Sequence, residues 1–284
     1  MEVIGNKKHS VINKDPEFSL QKTRELYHRI YINHNAIGGI IFNEGNKVLC
    51  LYNHKLRLAS GSGFPVKKIN DFFTENEQFN PPYKETQIYI SGNGFTLVPS
   101  SIFRSGDADK LLSFNYQIKE DEAIIDEHIP SIDSNIIYAY NKDLYEVMNS
   151  RFSKMKMNHF ASLQIPFYLK SSEDNKPYVY CQLYHTYFQI TIIDKGKLIL
   201  YNHFNFSSAE DLLYYIVFCM EQLNLNPEFT KLRLSGEHEN DDIINLLKDY
   251  IRDVEIQVFE PKFHSKAILS DIKLYMYLPQ LISF

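Results

Sequence analysis

The chain has 284 residues, 44% of them hydrophobic and 23% charged, a globular balance that suits two lobes and excludes a disordered polymer. Its net charge of −5 supplies no basic field for phosphate backbones, so nucleic acid is not an expected partner. Met1 to Asp15 is polar and lacks the apolar centre of a signal peptide, and the longest apolar run, Leu212 to Met220, is far short of a membrane span.

Residues 1–17 read as a polar N-terminal segment. The first patterned stretch is Tyr27 to Tyr52. Tyr27, Ile30 and Ile32 lead into Asn33-His34-Asn35, and Ile37-Gly38-Gly39-Ile40-Ile41-Phe42 follows. The turn Asn43-Glu44-Gly45-Asn46-Lys47 then precedes Val48-Leu49-Cys50-Leu51-Tyr52. Three β-rich runs separated by Gly and Asn predict an antiparallel meander, because those residues take the positive φ that tight hairpins require.

Ser60 to Pro65 reads as a loop. Its Gly61-Ser62-Gly63 lacks the following Lys-Ser/Thr and helix of a phosphate loop. Asn70 to Pro82 is polar and reads as part of an insertion. Gln87 to Ser91 and Ile136 to Ala139 have the composition of later strands, and Lys142 to Arg151 that of the final helix of a first lobe over 18–154. Val98 to Phe103 reads as a strand exit running into a short helix. Met155 to Leu169 is expected to bridge to a second lobe over 155–284.

The same grammar returns in the second half. Tyr178 to Leu183, Tyr187 to Ile193 and Leu198 to Tyr201 are β-rich runs, the last two joined by Asp194-Lys195-Gly196-Lys197. Leu51-Tyr52-Asn53-His54 recurs as Leu200-Tyr201-Asn202-His203 at the end of the third run in each half, which points to a duplicated unit. Ser207-Ser208-Ala209-Glu210 then offers hydroxyl caps to a helix whose apolar positions run from Leu212 to Leu223. Lys231 to Leu234 reads as a strand, Ser235-Gly236-Glu237 as its exit loop, Asp241 to Tyr250 as a helix and Val254 to Phe259 as a last strand. The order β-β-β-α-β-α-β is the plan of a ribonuclease-H-like lobe. The fold class expected is therefore α/β, two ribonuclease-H-like lobes in tandem, with mixed sheets and an antiparallel three-strand meander in each.

Cys50, Cys181 and Cys219 sit far apart in apolar runs, which fits neither a disulfide framework nor a metal ladder and points to the reducing cytoplasm. Glu127-His128, His159, His54 and His203 stand isolated, and Glu237-His238-Glu239 has no second ligand pair. Lys154, Lys156 and His159 around Arg151 read as a solvated element end rather than a phosphate patch.

Two such lobes in tandem resemble the actin, hexokinase and heat-shock ATPase superfamily, and Val179 to Val258 resembles the actin-like pilus-assembly proteins. A closer likeness is to an uncharacterised Bacteroidetes family, domain of unknown function 3822. It is carried by Phe95-Thr96-Leu97-Val98-Pro99 with Phe103 behind, by Lys197-Leu198-Ile199-Leu200 with Leu212-Leu213-Tyr214-Tyr215, and by Leu232-Arg233-Leu234-Ser235-Gly236-Glu237. The resemblance runs from about Phe18 onward. It implies an actin-like fold and lends no activity.

ATPases of that superfamily hold phosphate at an Asp-x-Gly-Ser/Thr turn in the first hairpin of each lobe. Glycine admits the phosphates, amides and hydroxyl bind their oxygens, and the carboxylate positions Mg²⁺. Here the turns read Asn33-His34-Asn35-Ala36-Ile37-Gly38 and Leu183-Tyr184-His185-Thr186-Tyr187. Neither contains an acid, and Tyr184 and Tyr187 are expected to crowd a polyphosphate. The sequence thus predicts a non-catalytic protein with no cofactor and another protein as partner. The alternative is an atypical site for ATP with magnesium, lined across an interlobe cleft by Asn33, Asn35, His185, Thr186, Ser235, Gly236 and Glu237.

Overall fold

The structure is a computed structural model and describes residues 10–56, 63–92, 94–104, 106–152, 154–173, 176–236, 241–270 and 272–282. Two compact units are present. One comprises Met1–Ser162, Pro261–Ile272 and Pro279–Leu281, the other Leu163–Glu260, Lys273–Leu278 and Ile282–Phe284.

In the first unit the strands β1 (Ser10–Lys14), β2 (Tyr27–Ile32), β3 (Ala36–Phe42) and β4 (Val48–Lys55) precede helix α1 (Val66–Glu75) and strand β5 (Glu85–Ile90). Next come β6 (Phe95–Pro99), α2 (Ala108–Ser113), β7 (Glu122–Ile129), β8 (Ser134–Asn141), α3 (Lys142–Arg151) and β9 (Met155–His159). The main sheet runs β1-β4-β3-β2-β5-β9. Its β2-β3-β4 meander is antiparallel, and β5 and β9 join in parallel. Asn46, at φ 61°, turns the second hairpin, as its sequence predicts.

Two local readings are corrected. The polar stretch from Asn70 overlaps α1, because Ile69, Phe72 and Phe73 recur at helical spacing and are buried while the intervening polar residues face outward. Ile136 to Ala139 is not a later strand of the main sheet. It lies in β8, the centre of a separate antiparallel sheet β6-β8-β7 whose own core is Val98, Leu112 and Ile137 under α2. The segment expected to bridge the lobes, Met155 to Leu169, is made of β9, the last strand of the main sheet, and the first part of helix α4 (Ala161–Ser171), and the chain passes from one unit to the other between Ser162 and Leu163. The loop glycine Gly61 and Ser62 lie outside the described residues.

The chain returns to this unit near its end. Val48 N–H donates to the His264 carbonyl at 2.9 Å and His264 N–H to the Asn46 carbonyl at 3.0 Å. Phe263 packs edge-on against Phe42 with centroids 4.8 Å apart, and both rings lie within 5.8 Å of the Arg29 guanidinium. A buried cation gains from aromatic faces in this way.

The second unit continues with β10 (Tyr178–Leu183), β11 (Tyr187–Asp194), β12 (Lys197–Asn205), α5 (Ala209–Gln222), β13 (Lys231–Gly236), α6 (Asp241–Lys248) and β14 (Asp253–Ile256). The sheet order is β12-β11-β10-β13-β14. Beyond the edge strand β1, the first sheet follows the same plan: an antiparallel meander, then two parallel strands beside its first member. This is the ribonuclease-H-like arrangement expected from the order of elements.

Alternation divides this sheet into two faces. Val179, Cys181, Leu183, Phe188, Ile190, Ile192, Leu232 and Leu234 pack with α5 and α6 as the main core. The opposite face is aromatic and polar. Tyr180 stacks on Tyr168 of α4 at 4.1 Å, and Gln182, Gln189 and Thr191 are buried beside it.

Candidate functional site

In open α/β sheets, ligand sites gather at the carboxyl ends of the parallel strands, so each unit's first turn is the place to build from. In the first unit that turn follows β2. Asn33 is fully buried, and its Oδ1 accepts hydrogen bonds from the backbone N–H of Asn35 at 2.6 Å and of Ala36 at 2.8 Å. Its own N–H donates to the Ala36 carbonyl at 3.0 Å. An Asx turn of this kind satisfies from inside the chain the amides that would otherwise face an anion. Asn33 Nδ2 is buried without a partner among the described residues. The Asn35 carbonyl accepts from Leu56 N–H at 2.6 Å, which ties the turn to the end of β4.

Two residues that spacing leaves isolated, Glu127 and His159, meet at the carboxyl end of β9. Glu127 Oε2 accepts from His159 N–H at 3.0 Å, and burial pushes the Glu127 carboxyl above its ordinary range. The His159 ring accepts at Nδ1 from Ala161 N–H at 3.1 Å and lies against Phe95 and Tyr138. Its ring nitrogen thus caps the start of α4. These groups fasten the inserted sheet to the main one. No sequence signal marks this pairing, since its partners are 32 residues apart.

In the second unit the turn after β10 carries Tyr184, His185 and Thr186. Tyr184 N–H donates to the Tyr187 carbonyl at 2.9 Å. The two rings stack, 4.5 Å between centroids and 18° between planes, and both are buried. His185 and Thr186 are exposed. Tyr184 Oη donates to Gln189 Oε1 at 3.1 Å, and Gln189 Nε2 donates to Tyr201 Oη at 3.2 Å. Tyr201 Oη in turn donates to Gln164 Oε1 at 3.0 Å. The turn tyrosine is therefore part of a buried polar chain crossing the sheet face. Glutamines inside otherwise apolar strands were its only sequence signal.

Ser235 and Gly236 end β13, beside Gln182 and Leu183 of β10 in parallel register. Ser235 Oγ donates to Gln182 Oε1 at 2.7 Å and is buried. Gly236 has φ +87°, and a Cβ there would strike the Leu183 carbonyl oxygen and lie 2.5 Å from Gln182 Nε2. The glycine is required by the neighbouring strand. Glu237 lies outside the described residues. Asn33 and Asn35 thus share one turn of the first unit, while His185, Thr186, Ser235 and Gly236 gather at one sheet end of the second.

In the first turn the Asn35 and Ala36 amides are engaged by Asn33 Oδ1, in the second a stacked tyrosine pair is buried, and the Ser235 hydroxyl donates to Gln182. Among the described residues, no three His, Cys, Asp or Glu side chains converge as a metal site requires. A groove of about 770 Å³ at the amino ends of β10, β13 and β14 has mixed charge. Of its four lining cations, Lys231 pairs with Glu173 at 2.9 Å and Arg252 with Glu228 at 3.6 Å. No helix among the described residues is long and apolar enough to cross a membrane.

Sheet order and turn position together define an actin-like ATPase fold, and comparison with solved structures gives the same class. A Bacteroides thetaiotaomicron protein with actin-like ATPase fold and unknown function matches at TM-score 0.77 and 23% identity, covering 84% of this chain and 93% of that one. The PilM–PilN type IV pilus biogenesis complex contains a chain matching at TM-score 0.50 and 9% identity, covering 82% of this chain and 88% of that one. Residues 15–254 match the family described as protein of unknown function DUF3822, and this chain belongs to that family. No curated protein matches it.

Proposed function

We propose that this chain is a cytoplasmic, non-catalytic protein of the actin-like fold whose role is to bind another protein. One observation carries the reading. The side-chain oxygen Oδ1 of Asn33 occupies the amide cradle of the first turn, where an ATPase of this fold needs those amides for phosphate and a carboxylate for Mg²⁺. The stacked Tyr184–Tyr187 pair supports it from the second turn. Three buried, unpaired cysteines are consistent with a reducing compartment. A neighbour in fold comes from a protein assembly, the PilM–PilN complex, so the architecture is compatible with a binding role.

A second reading is a nucleotide held without conventional chemistry. Asn33 Nδ2, a buried donor with no partner among the described residues, is the observation that favours it. Isothermal titration with Mg-ATP separates the two. The leading reading expects no saturable heat up to about 1 mM nucleotide, whereas a micromolar Kd would overturn it. Loss of that binding in Asn33→Ala would then assign the site to this turn.

A further inference from the structure

We infer that β12 is a homodimerisation edge, pairing antiparallel with β12 of a second copy about a two-fold axis. The strand is nine residues long, Lys197–Asn205, and stands at the margin of its sheet, bonded to β11 alone among the described residues. Its counterpart β4 shows what such an edge accepts. There Leu51, Tyr52, Asn53 and His54 are paired along the outer side by Asn13, Ile12, Val11 and Ser10 of β1, antiparallel. The same tetrapeptide, Leu200-Tyr201-Asn202-His203, sits at the same place in β12, with no strand laid against it among the described residues.

Open edges are normally blunted by proline, by inward charge or by shortness. Between Lys197 and Asn205 the strand has no proline, no Lys, Arg, Asp or Glu, and Ile199 is 44% exposed. An aromatic patch adjoins it. Phe204 of β12 stacks on Tyr215 of α5 at 4.8 Å, Tyr215 meets Tyr214 edge-on at 5.3 Å, and Tyr214 stacks with Phe218 at 6.0 Å. Tyr214 and Phe218 are 61% and 42% exposed.

Charge selects a second copy as the occupant. Lys195 and Lys197 stand at one end of the strand, with Asp194 the one acid there, and Glu210 and Asp211 follow its other end. Antiparallel pairing centred near Tyr201 brings the lysines of each copy toward the acids of the other, twice over by symmetry, and such an isologous contact closes on itself. The inference is independent of the turn chemistry, so it stands or falls apart from the nucleotide question.

Sedimentation velocity of the full chain over a concentration series tests it. A monomer–dimer equilibrium is expected. Ile199→Lys is expected to weaken it about tenfold with the circular dichroism and thermal melt unchanged. The double change Lys195→Glu and Lys197→Glu is expected to weaken it as well. Mixing that chain with one carrying Glu210→Lys and Asp211→Lys is expected to restore a heterodimer. A chain monomeric at about 100 μM, where a useful self-association is populated, would overturn the proposal. So would a dimer indifferent to both sets of changes, or an edge that pairs only with an added foreign peptide.

Discussion

His28 Nε2 lies 2.8 Å from the hydroxyl of Tyr52 inside the core of the first unit, and neither group reaches solvent. Gly39 makes the contact possible, since a Cβ at that position would sit 2.5 Å from the Tyr52 oxygen. Phe79 stacks on Tyr52 at 4.1 Å, and Phe152 meets the imidazole edge-on at 5.6 Å. A polar pair is thus sealed by rings from a short helical turn and from the end of α3.

The seal sets an acid limit on stability. Burial lowers the His28 pKa from 6.5 to about 3, whereas the unfolded chain protonates near the ordinary value. Between those values the unfolded state binds more protons, so stability rises with pH across the window and is lost as pH falls through it. His203, lowered to about 4 by burial, acts in the same direction. Urea unfolding between pH 7 and pH 4 should show stability falling by roughly 1 kcal/mol per pH unit for each histidine, up to the limit of its shift. His28→Gln should flatten the profile while lowering stability at pH 7. An unchanged slope in that variant would remove His28 as the cause.

Gly236→Ala should be among the most damaging single changes in the second unit. The backbone there is left-handed, at φ +87°, and the added methyl meets the Leu183 carbonyl of the adjoining strand. Strain and overpacking together point to a loss of about 2–4 kcal/mol. Gly45→Ala, whose Cβ would come no closer than 3.4 Å to Asn43 Oδ1, is the control and should cost far less. Parallel thermal melts of the two variants check the contrast.

The two meanders were legible because turn residues and β-rich runs are local signals. Asn33 could be read as a turn residue lacking a carboxylate. That its oxygen closes the turn upon its own amides depends on a rotamer, which letters do not carry. α1 was obscured because Lys67, Lys68, Asn70 and Asp71 dominate its composition, while three apolar positions decide its packing. β9, Met-Lys-Met-Asn-His, has little strand propensity and is fixed by parallel pairing with β5, a contact across an inserted sheet. Ile136 to Ala139 looked like any strand, since nothing local says which sheet a strand joins. The return of Phe263 and His264 to the first unit was invisible for the same reason.

Tyr201→Phe tests the buried chain on the second sheet. Removing the hydroxyl takes from Gln164 Oε1 a donor at 3.0 Å and from Gln189 Nε2 an acceptor at 3.2 Å. Both glutamines are buried, so the cost should be about 1–3 kcal/mol. A double-mutant cycle with Gln164→Leu should recover part of that loss, because the Gln164 acceptor is then gone. Strict additivity of the two changes would show that the hydrogen bond carries no coupling energy.

The cysteines give a prediction that bears on compartment and core together. Cys50, Cys181 and Cys219 are all buried and unpaired. Burial raises the thiol pKa of Cys50 to about 12 and that of Cys219 to about 11, and moves Cys181 upward as well. Thiolate is the reactive form, so at pH 8 each site should be almost wholly protonated and shielded. Ellman's reagent should label none of the three in the native chain over minutes and all three once guanidinium unfolds it. Cys181 and Cys219 share the core under α5, so their labelling rates should rise together if that core opens as one unit, with Cys50 in the first unit free to follow a different rate. Rapid labelling of any cysteine in native conditions would place its strand outside a closed core.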